Sequence, residues 1–521
     1  MNDPVNDPVT TLVFYGGRVR TAGMPGATAI GVRDGVIAWL GDDAGADSMG
    51  ARDTIDLRGA TVLPAFVDAH AHVTQTGLML TGLDLHDIPS RDALLDTVAD
   101  YARRRPGEVV IGTGWDETRW ADPRLPMPAE LDRALGAGLG YLARVDVHSA
   151  LASPALIAKA GVDPESPDVD GVRVRLDAHH AVRKVAFDSV PTSQLRTAQQ
   201  HARRHAASLG IASLHEMSGP KAAGERDLAS LLSLCAEEPG AEVVAYWGEL
   251  GDVDTPRRYG LVGAGGDLFC DGSVGSHTAA MSAPYADAPT DRGVLRYQRD
   301  EIADHIVRAA RAGLQSGFHV IGDVAIDTVL SAYEDAAREV GVDVIRSQRH
   351  RLEHVELLSP DSLRRMAELG LTASVQPAFD AFWGGREGMY AQRLGTERAL
   401  AMNPFAAMHA AGIPLALGSD APITPLDPWG GVWAAVAHHN SEHSLSSHAA
   451  FDASTVGGRR AVADDRAGPL EVGATATFAV WDTASTDWTR HWLPAPGAVP
   501  TCLALVVQGQ SVYTAEGAVA S

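Results

Sequence analysis

The chain has 521 residues, 45% of them hydrophobic and 6% aromatic, with a formal charge of -23, and its mean hydropathy is near zero at -0.05. That length accommodates a large barrel and a smaller companion domain. The negative mean field disfavours a phosphate backbone as partner, and no apolar run approaches the length of a bilayer span, so nucleic-acid and membrane functions are excluded.

The start, Met1-Asn-Asp-Pro-Val-Asn-Asp-Pro, carries neither a basic nor an apolar leader region, and Cys235, Cys270 and Cys502 are too scattered for a disulfide framework. Both features lead to the expectation of a cytoplasmic protein in a reducing compartment. Up to about Ala60, short runs separated by glycines (Thr11-Leu-Val-Phe-Tyr, Ala29-Ile-Gly-Val-Arg, Gly35-Val-Ile-Ala-Trp) predict a small antiparallel sheet. At the other end, Gly473-Ala-Thr-Ala-Thr-Phe-Ala-Val-Trp alternates, and a hairpin is predicted around Gln508-Gly509. Residues 1–62 and 466–521 are therefore expected to combine into one β-sandwich built from both termini, around a barrel over 63–465.

The apolar run Thr61-Val-Leu-Pro-Ala-Phe-Val-Asp68-Ala-His70-Ala-His72 ends in two histidines. Alternate residues of a strand share a face, so His70 and His72 can chelate one ion at its end. The stretch from about 76 to 203 fits a strand-helix repeat poorly. It is read as barrel strand two, Val109-Val-Ile-Gly-Thr-Gly-Trp115, with a substrate-covering insertion, in which Trp115 and His148 are substrate-side candidates because aromatic and imidazole groups can line a pocket. Helices then alternate with strands: Arg299 to Ala312 before Leu314-Gln-Ser-Gly-Phe-His319, Ala325 to Val340 before Arg351-Leu-Glu-His354, Ser359-Pro360 to Gly370 before Leu371-Thr-Ala-Ser-Val-Gln376, and a helix near 399–411 before Ile413-Pro-Leu-Ala-Leu-Gly-Ser-Asp420. That alternation predicts a parallel α/β layout, and polar residues at the C-terminal strand ends match the rim where a (β/α)8 barrel carries its chemistry.

Neutral imidazoles from His70, His72, His319 and His354 with the carboxylate of Asp420 supply what one or two divalent zinc-like ions require. His438, His439, His443 and His448 follow the last strand at helix-like spacing and, with His179-His180, are read as helix and loop residues.

Here the chain resembles the metal-dependent amidohydrolase superfamily, and closely the amidohydrolase family 3 branch that includes N-substituted formamide deformylases. The resemblance rests on Phe66-Val-Asp-Ala-His-Ala-His72, Gly114-Trp-Asp-Glu117, Leu214-His-Glu216, Asp271-Gly-Ser-Val-Gly-Ser276, Phe318-His-Val-Ile-Gly-Asp323, Leu352-Glu-His354, Gly418-Ser-Asp-Ala-Pro422 and Gly468-Pro-Leu-Glu-Val-Gly473. It implies a (β/α)8 TIM-type barrel with a small β-sandwich domain, the His-x-His pair and Asp420 holding one metal, and His319 and His354 holding a second or polarising substrate. Asp271 and Ser273 fall in a motif resembling a pocket loop and are substrate-binding candidates. The chain departs from the family where a lysine often precedes Asp-Gly-Ser: Asp267 stands there, and Lys159, Lys184 and Lys221 offer no substitute. Asp267 is thus a further metal-ligand candidate, and a single-metal site is preferred.

The implied activity is hydrolysis of a non-peptide C–N bond in a small amide, formamide or cyclic amide by metal-activated water. Asp420 is expected to serve as proton acceptor and donor, and His319 and His354 to complete the metal shell or stabilise the oxyanion. A small-molecule substrate is the expected partner, and the sequence leaves room for a homo-oligomer. Two alternatives stand beside this reading. One is heterocycle deamination on the same scaffold; the other, motivated by Asp267, is a binding protein that has kept the fold without turnover.

Overall fold

The structure, a computed structural model, describes residues 11–517 apart from 22, 47–48, 52, 145–148, 221–223, 484–493 and 495–498. The chain divides into two compact units, one of residues 1–72, 203–222 and 238–521 and the other of 73–202 and 223–237.

The first unit holds the barrel. Its strands are β1 (Phe66–Ala71), β2 (Ile211–Ser218), β3 (Glu242–Trp247), β4 (Gly263–Ala264), β5 (Gln315–Val320), β6 (Arg351–His354), β7 (Thr372–Val375) and β8 (Leu415–Leu417). All neighbours pair in parallel, in chain order. A bridge between Ala71 and Ala421 closes the ring, reinforced by Asp420 N–H to His70 O and His72 N–H to Ala421 O, both 2.8 Å. The two strands approach so closely there that a Cβ on Gly418 would lie 2.6 Å from the His70 nitrogen. Most of the strands are buried along their whole length, which is why they read as near-continuous apolar runs.

The helices follow their sequence signals. Ile302, Ile306, Val307, Ala309 and Ala310 form the buried stripe of Arg299–Arg311. Ser359 caps Pro360–Leu369 through its hydroxyl, Pro360 occupies the first turn, and Gly370 ends the helix in the left-handed region. The single helix expected near 399–411 is two short ones, Thr396–Leu400 and Phe405–Ala410, because Asn403-Pro404 interrupts it.

The termini form two sheets within the same unit. One has four strands from the N-terminal segment alone, with Thr11–Tyr15 pairing antiparallel to Ala29–Arg33 but parallel to Asp53–Asp56. The other combines Arg18–Val19 and Thr61–Pro64 with Phe478–Asp482, Thr501–Val507 and Gln510–Thr514. The last two make the hairpin around Gln508-Gly509. Phe14, Ile30, Val62, Phe478 and Val506 share one core, with the Phe14 and Phe478 rings edge-on at 5.1 Å. Trp481 packs on Phe66 of β1 at 5.8 Å, together with Trp429 and Phe451, and joins the terminal sheet to the barrel.

The second unit corrects the sequence reading of 76–203. Val110–Trp115 is not barrel strand two; it pairs with Leu83–Asp84 and Gly140–Arg144 in a separate six-stranded sheet, and barrel strand two is Ile211–Ser218. Periodicity identifies a buried strand but does not say which sheet it joins.

His350, just before β6, is fully buried, and its Nδ1 accepts the Ser316 N–H at 2.8 Å. Burial pushes its pKa down to about 3, so it stays neutral in the fold while the unfolded chain takes up a proton below about 6.5. Its contribution to stability is complete above pH 6.5 and is lost progressively as pH falls from there towards 3. His350→Asn keeps an acceptor at that point without the titration. Between pH 6.5 and 5 the variant's denaturation midpoint is expected to fall less than the wild type's, by about 2 kcal/mol equivalent. Parallel midpoint curves for the two proteins would refute this.

Candidate metal centre

Each barrel strand that ends in a polar residue delivers it to the C-terminal rim. His70 and His72 come from the end of β1, Asp267 follows β4, His319 lies on β5, His354 ends β6 and Asp420 follows β8. The structure brings all six together. Asp420 Oδ1 is 3.5 Å from His70 Nε2 and 3.4 Å from His72 Nε2. Asp267 Oδ1 is 3.0 Å from His319 Nδ1, 3.3 Å from His354 Nε2 and 3.9 Å from His70 Nε2, while its Oδ2 is 3.9 Å from His72 Nε2. His354 and Asp420 have φ of 71° and 55°, the left-handed region, which turns their side chains off the strand direction at a local conformational cost.

The partners of the imidazoles fix which nitrogen faces inward. His70 Nδ1–H donates to Glu353 Oε2 at 2.8 Å, His354 Nδ1–H to Gln376 Oε1 at 2.7 Å, and His319 Nε2–H to the Gly272 carbonyl at 3.3 Å. The remaining nitrogen of each ring therefore turns a lone pair towards Asp267 or Asp420. Lone pairs facing carboxylates at 3 to 4 Å need a cation between them, and the buried His70 Nε2 and Asp420 Oδ1 have no hydrogen-bond partner. Donor type, burial and convergence all fit a divalent metal ion.

Without the ion, protons take its place. Burial depresses the His72 imidazolium, but the adjacent Asp420 carboxylate outweighs it and holds its pKa at about 9. Burial of His354 is likewise outweighed by Asp267, and its pKa stands at about 10. In return, burial of Asp267 is overcome by the His319 charge and that of Asp420 by the His70 charge, so both carboxyls lie below the ordinary range.

Two donor triads fall within one ion's reach, His70–His72–Asp420 and His70–Asp267–His354. They share His70, whose Nε2 has one lone pair and whose Nδ1 is committed to Glu353.

Beneath the centre lies a network the sequence did not reveal. Arg351 is fully buried, pairs with Glu353 through Nε, and from Nη2 donates to Ala69 O at 2.6 Å and Ser374 Oγ at 2.7 Å. Its Nη1 donates to Tyr246 Oη and His215 Nδ1, both at 3.1 Å. One guanidinium thus ties β1, β2, β3, β6 and β7 together and holds the carboxylate that orients His70. Burial would raise the Glu353 carboxyl, but the Arg351 charge brings it down to about 2.

The substrate-side candidates fare differently. Trp115 is fully buried in the second unit, its indole N–H donates to Leu142 O at 2.8 Å, and it packs with Leu94, Leu131 and Trp120. It is a core residue, not a pocket wall. Its neighbours Asp116 and Glu117 pair with Arg144. His148 lies outside the described residues. Asp271 is buried and accepts backbone N–H groups from Ala280, Ile321 and Gly322 at 2.8 to 3.1 Å, so it clamps the loop to the end of β5 instead of facing a ligand. Ser273 is exposed and hydrogen-bonds Ser276 Oγ at 2.8 Å. His438 and His439 lie just beyond the helix Pro428–Val436, where His439 Nδ1 meets Asp380 at 3.0 Å.

A cavity of about 260 Å³ adjoins the centre through Asp267. A second, of about 250 Å³, is lined by residues including Val67, Asp68, Phe382 and Ser419 and by none of the six candidate ligands. No helix among the described residues is long and apolar enough to cross a membrane.

Comparison with known proteins agrees with this geometry. The chain is 29% identical over 462 residues to YtcJ of Bacillus subtilis, covering 82% of this chain and 84% of that protein. It is 25% identical over 442 residues to the N-substituted formamide deformylase of Arthrobacter pascens, covering 79% and 80%. Among solved structures, an uncharacterized metal-dependent hydrolase from Pyrococcus furiosus superposes with a TM-score of 0.77 at 28% identity, over 90% of this chain and 98% of that one. With a family model matching residues 53–513 and a donor set suited to a divalent ion, the chain belongs to the amidohydrolase family.

Proposed function

We propose that the protein hydrolyses a non-peptide C–N bond of a small amide, formamide or cyclic amide at a single zinc-like centre. The observation that carries this reading is the convergence of inward-facing imidazole lone pairs on Asp267 and Asp420 at a rim with an adjoining cavity. A divalent ion held by these donors would supply Lewis-acid polarisation of a carbonyl and would make water acidic enough to attack near neutral pH. His70, His72 and Asp420 are the primary ligand set. Asp267, standing where the family often has lysine, would add a second carboxylate, 3.0 Å from His319 Nδ1 and 3.3 Å from His354 Nε2.

Asp420 is the proton carrier. Its carboxyl is held below the ordinary range and is ionised at neutral pH, so with Oδ1 facing the ion its other oxygen can accept a proton from water and return it to the departing nitrogen. His319 and His354, whose inward nitrogens carry lone pairs towards Asp267, would complete the donor shell.

One tightly held ion per chain is expected, because the two donor triads share one His70 lone pair. Elemental analysis returning two tightly bound ions would displace this assignment. The activity itself is tested by screening small amides and N-formyl compounds with zinc-reconstituted protein and with EDTA-treated controls. Chelator-sensitive release of amine from at least one of them is expected; ammonia release from aminated heterocycles with every amide inert would move the protein to the deaminases.

A further inference from the structure

The cavity beside Asp267 lies where β2, β3 and β4 end. Its walls include Met217, Leu250, Phe269 and Tyr297, with Asp267 at the metal side and Glu249 exposed to solvent. The apolar walls suit a ring-sized substituent, and Phe269 continues to the centre by packing on the His319 ring at 4.7 Å.

Charge then distinguishes the ends. The indole N–H of Trp247 is shared by two carboxylates, Glu249 Oε2 and Asp252 Oδ2, each at 3.1 Å. Among the described residues neither has a salt-bridge partner; the nearby guanidinium of Arg296 lies instead over the Phe269 ring, at 5.7 Å. A single N–H donor leaves most of the acceptor capacity of Glu249 turned to solvent.

We propose that this cavity is the substrate-recognition subsite of the metal centre, and that Glu249 selects aryl substituents ending in a cation over those ending in an anion. The assignment of the cavity to a substrate rests on the hydrolytic reading above; the charge preference is a property of the cavity and is measurable without turnover. An ammonium gains the Glu249 attraction at little desolvation cost because the mouth is wet, whereas a carboxylate there meets two like charges.

The test uses three para-substituted anilines of similar size, bearing aminomethyl, methyl and carboxymethyl groups, and the three formanilides made from them. Calorimetric titration of the full-length, metal-loaded protein at low ionic strength should show the aminomethyl compound binding about tenfold or more tightly than the carboxymethyl one, with the gap narrowing as salt is added. Glu249→Gln preserves an acceptor for Trp247 and should bring the ratio to within about threefold while leaving the methyl compound unchanged. Tyr297→Ala should weaken all three alike. A ratio that Glu249→Gln does not move, or tighter binding of the anion, would overturn the proposal. The formanilides separate the two readings: if none is hydrolysed, the proposed reaction loses support while the titrations still decide the subsite, and if all are hydrolysed without charge preference, the subsite alone falls.

Discussion

Asp420→Asn is expected to lower turnover by about a thousandfold or more while the barrel remains folded. Asparagine keeps the shape of the side chain, and the backbone bond from residue 420 to the His70 carbonyl that helps close the ring is untouched. What disappears is the negative charge and the ability to take a proton from water and hand it on. The measurement is kcat on whichever amide the screen identifies, alongside the metal content and the thermal transition. Near-full activity with one ion bound would remove Asp420 from proton transfer, and loss of the ion with an intact fold would assign it to metal retention alone. A third signature discriminates further: if the carboxylate is the proton carrier, the variant's residual rate should lose the acidic limb that ionisation of Asp420 imposes on kcat/KM.

Arg351→Met is expected to destabilise the protein by about 3–5 kcal/mol, because it abandons Glu353 as an uncompensated charge in a barrel interior with no access to water. The cost comes from the stranded partner, so Arg351→Met combined with Glu353→Gln should recover much of it. Glu353→Gln alone should weaken metal retention by about 10- to 100-fold, since a neutral amide would replace the charged acceptor that orients His70 and would leave Arg351 without its counter-charge. Denaturant midpoints and competition against a chromophoric chelator read the two effects separately. Equal stability of Arg351→Met and wild type would show that the guanidinium is not what holds these five strands.

The difference between these two residues is also the difference between what the amino-acid sequence exposed and what it hid. His70, His72, His319, His354 and Asp420 were legible because each ends an apolar run, and parallel strands in a barrel present their ends on one rim. Asp267 was legible as a departure from a motif, although only coordinates place its carboxylate between His319 and His354. Arg351 begins a run that looks like any strand preceded by a surface arginine; nothing local indicates that its side chain enters the barrel to meet residues more than a hundred positions away. Trp115 failed for the converse reason. An indole after a glycine-rich strand suits a pocket or a core equally well, and the core had its hydrogen-bond partner, Leu142. Asp271 was misassigned because a glycine-flanked carboxylate reads as a ligand-binding group until the three backbone amides it satisfies are seen.

The seam between the first and last barrel strands has a consequence for how the protein is made. Ser419 N–H reaches Asp68 Oδ1 at 3.0 Å across 351 residues of chain. At roughly 5–20 residues per second, a ribosome finishes the histidine pair roughly 20–70 s before it supplies the carboxylate opposite. During that interval the nascent polypeptide has an open sheet edge, and the His70–His72–Asp420 donor set is complete only once the closing strand emerges. A fragment that stops short of that strand therefore lacks both the Ala71–Ala421 bridge and the Asp420 carboxylate.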